Sequence, residues 1–347
     1  MQIHDKLNIK SVIISRTDAI GDVILTLPLC GIIKKFYPEA RLLFMGRGYT
    51  EPVINCCEYI DGFINADELL AKDKKEALIQ LASYGADAIV HVFPNRQITL
   101  LAKQVGIKYR IGTTNRLFHW GTVNKLIRLS RKNSALHEVQ LNFKLLEPLG
   151  IFDVPELNEF SAFMGFGKIP LFPEQATKLI ASDRINVILH PKSNAHAREW
   201  SLDNYQKLIG LLPPEKYRIL ISGTEQEGRL LSDWMKTLPV SVTDVTGKFS
   251  LSEFIAFIAK SDFLVAPSTG PLHIAAVLGT GAIGLFPNIR PMHPGRWQPI
   301  GNRAFAISTN IKCSDCRNNP LLCHCINEIT PHQVAELIVM SEGNHTV

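Results

Sequence analysis

Short β-branched runs alternate with helix-forming segments at intervals of roughly 20–25 residues, and that rhythm limits the chain to one class of fold. Ser11–Ser15 and residues 41–45, 62–64 and 88–92 read as buried strands, with helices expected over 49–57 and 73–83. Glycine and proline crowd the stretch GFGKIPLFP at 165–173, which reads as a linker. Beyond it the rhythm restarts, with strands at 186–191, Tyr217–Ile221, 263–266 and 282–286 and helices at 202–212 and Leu251–Ala259. The expected fold is α/β, with two Rossmann-like, doubly wound parallel sheets in domains 1–168 and 169–347. A closing helix at 330–341, with Thr330 as cap and Pro331 at its first position, is expected to pack back on the first domain.

Charge is unevenly distributed on this frame. The net charge is only +5, yet no Asp or Glu occurs from Ala88 to His137. That window holds Arg96, Lys103, Lys108, Arg110, Arg116, Lys125, Arg128, Arg131 and Lys132. Segregated positive charge suits an anionic partner, or is simply a solvated face. Nucleic acid is the weaker choice of partner, because no recognition motif is present and few aromatics interleave with the charges. No apolar run reaches the ~18–20 residues that span a bilayer, and MQIHDKLNIK lacks a signal-peptide core. A cytoplasmic protein is expected, and the seven cysteines suit a reducing compartment. Four of them, Cys313, Cys316, Cys323 and Cys325, are candidates for a structural zinc site or are reduced thiols.

Two strand ends carry the chemistry. In DFLVAPSTGPLHIAAVL, residues 262–278, a strand delivers Ser268, Thr269 and Gly270 to a helix start containing Pro271 and His273. Free backbone N–H groups and the helix dipole favour an anion there, although an ordinary cap has the same residues. After the first strand comes RTDAIGD, which is not a dinucleotide fingerprint. Asp22 falls at or just inside a helix start, either to complement the dipole or to serve as a general base at the carboxyl end of a sheet. A third loop, 288–297, brings Arg290, His293 and Arg296 to a strand's carboxyl end.

Taken together, these stretches resemble glycosyltransferase family 9, the ADP-heptose heptosyltransferases of lipopolysaccharide core assembly. RTDAIGDVILTLP, HPKSNAHAREWS, ISGTEQE and PSTGPLHIAAVLG carry the resemblance, with RIGT at 110–113 and HEVQLNFKLLEPLGI at 137–151. It implies a GT-B fold with the acceptor in the first domain and a nucleotide-sugar donor in the second. It also implies inverting transfer of heptose from ADP-heptose to an acidic, membrane-held lipopolysaccharide core, at the cytoplasmic face of the inner membrane and with no required cofactor.

The same resemblance assigns roles. Asp22 is the base, and Arg198 stabilises the departing ADP. Lys192, Ser193, Ser268, Thr269, Gly270 and His273 line the donor phosphates and sugar. Glu225 takes the ribose and Phe249 packs on the base. Arg16, Arg96, Arg110 and Arg116 meet the acceptor. Many members carry an acid where this chain has Ser268, which leaves another nucleotide sugar, or a protein acceptor, as the alternative. A nucleotide-sugar or nucleic-acid binding protein without turnover is the alternative from another class. Each of these side chains also has a structural explanation: dipole complementarity for Asp22 and Glu225, a core histidine for His273, surface pairing for Arg198.

Overall fold

A computed structural model describes residues 7–131, 134–193, 197–311 and 323–342. The chain divides between Lys168 and Ile169 into two compact units. In the first, β1 (Ser11–Ser15), β2 (Arg41–Gly46), β3 (Gly62–Asn65), β4 (Ala88–His91), β5 (Tyr109–Thr113) and β6 (Lys125–Ile127) form a parallel sheet ordered β3-β2-β1-β4-β5-β6. Its helices are α1 (Ile20–Ile24), α2 (Leu27–Phe36), α3 (Glu51–Asn55), α4 (Ala66–Ala71), α5 (Lys74–Ser83), α6 (Arg96–Val105), α7 (Leu117–Thr122) and α8 (Glu138–Phe143).

In the second unit, β7 (Ile185–Leu189), β8 (Tyr217–Ile221), β9 (Thr243–Asp244), β10 (Phe263–Pro267), β11 (Gly281–Leu285) and β12 (Ala304–Ile307) are ordered β12-β11-β10-β7-β8-β9. Its helices are α9 (Leu202–Leu211), α10 (Glu225–Met235), α11 (Leu251–Ala259), α12 (Gly270–Leu278), α13 (Pro294–Trp297) and α14 (Pro331–Met340). Read outward from the first strand, both sheets have the same doubly wound order. The order reverses between β1 and β4 in one, and between β7 and β10 in the other. A crevice at the carboxyl ends of the strands opens at such a switch point.

Strand chemistry explains the sheets. Every residue of β1 and β10 is buried, as expected where helices cover both faces of a parallel sheet. Helix starts follow their caps: Asn65, Asp73, Asn95, Ser201, Thr224, Ser250 and Thr330 each accept a first-turn N–H. Gly279, at φ +78°, ends α12 in the left-handed conformation and turns the chain into β11.

Three expectations need adjusting. The helix after Asp22 is two helices. Pro28 brings no N–H, so the ladder breaks at Leu25–Thr26 and restarts as α2. The segment 49–57 is a tight turn over Gly48–Thr50 followed by α3, which begins near Pro52. The closing helix α14 packs on α9 of its own unit. There Val334 and Ile338 join Trp200, Tyr205, Phe263 and Val265 in the core, and Trp200 Nε1 donates to Ile329 O at 2.9 Å. No helix among the described residues is long and apolar enough to cross a membrane.

Candidate active site

In the first unit the switch point between β1 and β4 carries a charge cluster. Arg16 directly follows β1 and is only 3% exposed. Its Nε donates to Asp18 Oδ1 at 2.7 Å and its Nη2 donates to Asp22 Oδ1. Its Nη1 reaches Glu138 Oε1 at 3.3 Å and Asn142 Oδ1 at 3.4 Å, both on α8. Arg131 reaches the same Glu138 oxygen at 3.2 Å and Asn142 Oδ1 at 3.0 Å. Asp22 is half-buried on α1, and its backbone carbonyl accepts Thr26 Oγ1 at 2.8 Å.

Burial raises the proton affinity of Asp22, and the negative charge of Glu138 adds to it. The Arg16 and Arg131 cations pull the other way. Asp18 is pushed up to about 6, mainly by burial. A carboxylate held at the end of the sheet, with its affinity for protons raised, is equipped to accept one. Nearby His91, at the end of β4, is fully buried with no partner for either ring nitrogen among the described residues. Burial holds it neutral, down to about 3.

The four arginines expected to meet an acceptor divide into two groups. Arg96 and Arg116 are exposed. Arg110 is turned inward on backbone carbonyls, donating to Thr122 O at 2.8 Å and Ile107 O at 2.5 Å. Arg16 lies inside the cluster, where its guanidinium holds Asp22. Its partners on α8, Glu138 and Asn142, hold it inward.

In the second unit the loop after β7 and the start of α12 lie at the switch point. Glu199 organises the loop. Its Oε2 takes Lys192 Nζ at 2.8 Å, and its Oε1 takes Ser193 N at 2.9 Å and Ser193 Oγ at 3.1 Å. Arg198 is buried beside it. At α12, Thr269 occupies the cap position without bonding the first turn, and its Oγ1 finds no partner among the described residues. The first-turn N–H groups are therefore left for an anion. His273 is buried in that turn, with Ser268 and Gly270 half-buried around it.

Glu225 opens α10 with its side chain 78% exposed, pairing with Arg229 at 2.6 Å. Its neighbour Glu227 caps the helix with Thr224. Phe249 packs on Phe257, ring centroids 4.6 Å apart. In the loop after β11, Arg296 is buried over Trp297, and burial together with the charges of Arg290 and Arg296 lowers the proton affinity of His293.

Of the four cysteines, Cys313 and Cys316 lie outside the described residues. Cys323 and Cys325 are buried with their Sγ atoms 3.7 Å apart. The described residues contain no group of three side chains suited to a metal.

Sequence reasoning missed Glu138 and Glu199. Each had a faint signal, being an acid beside otherwise basic loops.

Residues 79–326 match the family model described as glycosyltransferase family 9 (heptosyltransferase). The lipopolysaccharide core heptosyltransferase OpsX of Haemophilus influenzae is 23% identical over 304 residues, covering 84% of this chain and 83% of the relative. Among solved structures, the glycosyl transferase family 9 protein of Veillonella parvula superposes with a TM-score of 0.76 at 18% identity, covering 97% of this chain and 99% of that one. The Escherichia coli ADP-heptose lps heptosyltransferase II gives 0.74 at 18% identity, covering 96% and 99%. Switch-point loops on two doubly wound sheets and a family match over most of the chain agree: the chain belongs to glycosyltransferase family 9 and is a glycosyltransferase of the GT-B fold.

Proposed function

We propose that the enzyme transfers heptose from ADP-heptose to the anionic inner core of a lipopolysaccharide, with inversion at the anomeric carbon. The acceptor hydroxyl oxygen attacks that carbon, its proton passes to Asp22, and the bond to the diphosphate oxygen breaks. Charge accumulating on ADP is matched by Arg198, Lys192 and the N–H groups opening α12. Ser193, Ser268, Thr269, Gly270 and His273 line the phosphates and sugar, Glu225 takes the ribose, and Phe249 covers the base. No metal takes part in the transfer. The observation that carries this reading is Asp22 at the carboxyl end of β1, with burial and Glu138 raising its affinity for a proton. The donor is taken from the Escherichia coli ADP-heptose lps heptosyltransferase II, whose structure the chain resembles. A transfer assay with matched ADP- and UDP-sugars and purified lipopolysaccharide core tests it. ADP-heptose alone should turn over, and equal turnover of a UDP-sugar would replace the donor.

The acceptor is membrane-held, and contact with the membrane is peripheral. On α7, Leu117 is 92% exposed and Trp120 64% exposed, one turn apart. Arg116 precedes them, and Lys103 Nζ bonds Gly121 O at 2.8 Å beside them. An apolar pair ringed by cations suits an anionic lipid surface. Phosphatidylglycerol vesicles should pull down the protein and phosphatidylcholine vesicles should not. The double substitution Leu117→Ser, Trp120→Ser should weaken capture about tenfold, and unchanged capture would remove α7 from the contact.

We also propose a structural zinc at Cys313, Cys316, Cys323 and Cys325. The 3.7 Å between Cys323 and Cys325 Sγ is close to the edge, about 3.8 Å, of a tetrahedron with ~2.3 Å Zn–S bonds. Elemental analysis of purified protein should find about one zinc per chain, and none would remove the site.

A further inference from the structure

The cluster around Asp22 holds two carboxylates that transfer chemistry leaves unused, Asp18 and Glu138. Glu138 opens α8 and is 1% exposed. Its Oε1 receives both Arg16 and Arg131, at 3.3 and 3.2 Å. Asn142 also accepts from both guanidiniums, and it donates to Leu25 O at 3.3 Å, at the junction of α1 and α2. A neutral side chain thus already supplies hydrogen bonds to the two cations. What Glu138 adds is a negative charge between them, buried where an unmatched charge is costly.

We propose that Glu138 is a positioning residue for the transfer: it holds the Arg16 and Arg131 guanidiniums in place and, by the negative charge it sets between them, makes Asp22 hold more firmly the proton it takes from the acceptor. This rests on Asp22 being the base. The groups facing Asp22 are Arg16 and Asp18 from the loop after β1, Glu138 and Asn142 from α8, Arg131 ahead of α8, Thr26, and Tyr49, whose hydroxyl donates to Asp18 O at 3.1 Å. Two positive charges stand against three negative ones, so a proton on Asp22 brings the cluster to neutrality. Glu138 favours that uptake and Arg131 opposes it, in agreement with the directions in which each shifts Asp22.

The two residues therefore predict opposite effects. Rates of heptose transfer by the full-length enzyme would be followed against pH for Glu138→Gln, Glu138→Asp, Arg131→Gln and Asp22→Asn. The acidic limb of kcat moves down with Glu138→Gln and up with Arg131→Gln, each by about half a pH unit. Glu138→Asp keeps the charge and leaves the limb within about 0.2 unit of wild type, while the donor KM of all three stays within about twofold. General loosening of the unit cannot move one limb in two directions. Should Glu138→Gln fail to fold, the upward shift of Arg131→Gln and the unmoved limb of Glu138→Asp carry the test. If the limb stays in place in both charge-changing variants, or moves the same way in both, the inference is wrong. The role of Asp22 then stands as long as Asp22→Asn is inactive. Wild-type transfer by Asp22→Asn would remove the base and this inference with it.

Discussion

Arg16 shows how far a residue's role depends on partners distant in sequence. The family resemblance sets Arg16 among the residues that meet an anionic acceptor, while in the fold Glu138, 122 positions further along, holds its guanidinium inward. Arg16→Met would leave Asp18, Asp22 and Glu138 facing one another without their shared cation. The expected cost is about 3–5 kcal/mol, read from urea midpoints at pH 7, with transfer reduced at least about 100-fold. A loss below about 1 kcal/mol would mean that the cluster is not organised by this side chain. Asp22 itself was legible, because Gly21–Asp22 follows a plain buried strand into a helix start. Glu138 was not, because nothing local to HEVQ marks its carboxylate as the partner of a distant arginine.

At the scale of elements, the strands were readable because parallel sheets bury whole β-branched runs, and β1, β8 and α11 have the bounds their sequences suggest. Loops were less readable, since their shape depends on side chains reaching across. The loop after β7 is an example: Glu199 holds Lys192 and Ser193. Glu199→Gln should raise the donor KM about tenfold in steady-state assays while changing the unfolding midpoint little, since the pair is partly solvated. An unchanged KM would detach this loop from the donor.

The end of β4 gives a pH prediction. His91 is neutral in the fold down to about 3 but takes a proton near 6.5 once unfolded. Its contribution to stability is therefore present above pH 6.5 and is lost as the pH falls from there toward 3. His91→Gln should reduce the loss of unfolding free energy between pH 7 and 5 by about 2 kcal/mol, measured by urea titration. An identical loss in the variant would show that His91 is not buried neutral.

At the scale of the whole molecule, one strand order occurs twice, and each unit presents its functional loops at its own reversal point. The alternation of strands and helices, and the break near 165–173, were visible in the sequence; which charges would be buried was not. If the second unit holds the nucleotide, ADP should slow amide exchange in the loops after β7 and β10 and in the first turn of α12. Protection confined to the loop after β1 would reverse the assignment of the units.

The most direct test of the account compares Asp22→Asn with wild type in two assays at once. ADP affinity should stay within about twofold while heptose transfer falls by about 10²–10⁴-fold, the usual contribution of a general base. Transfer at the wild-type rate with ADP bound as before would contradict it.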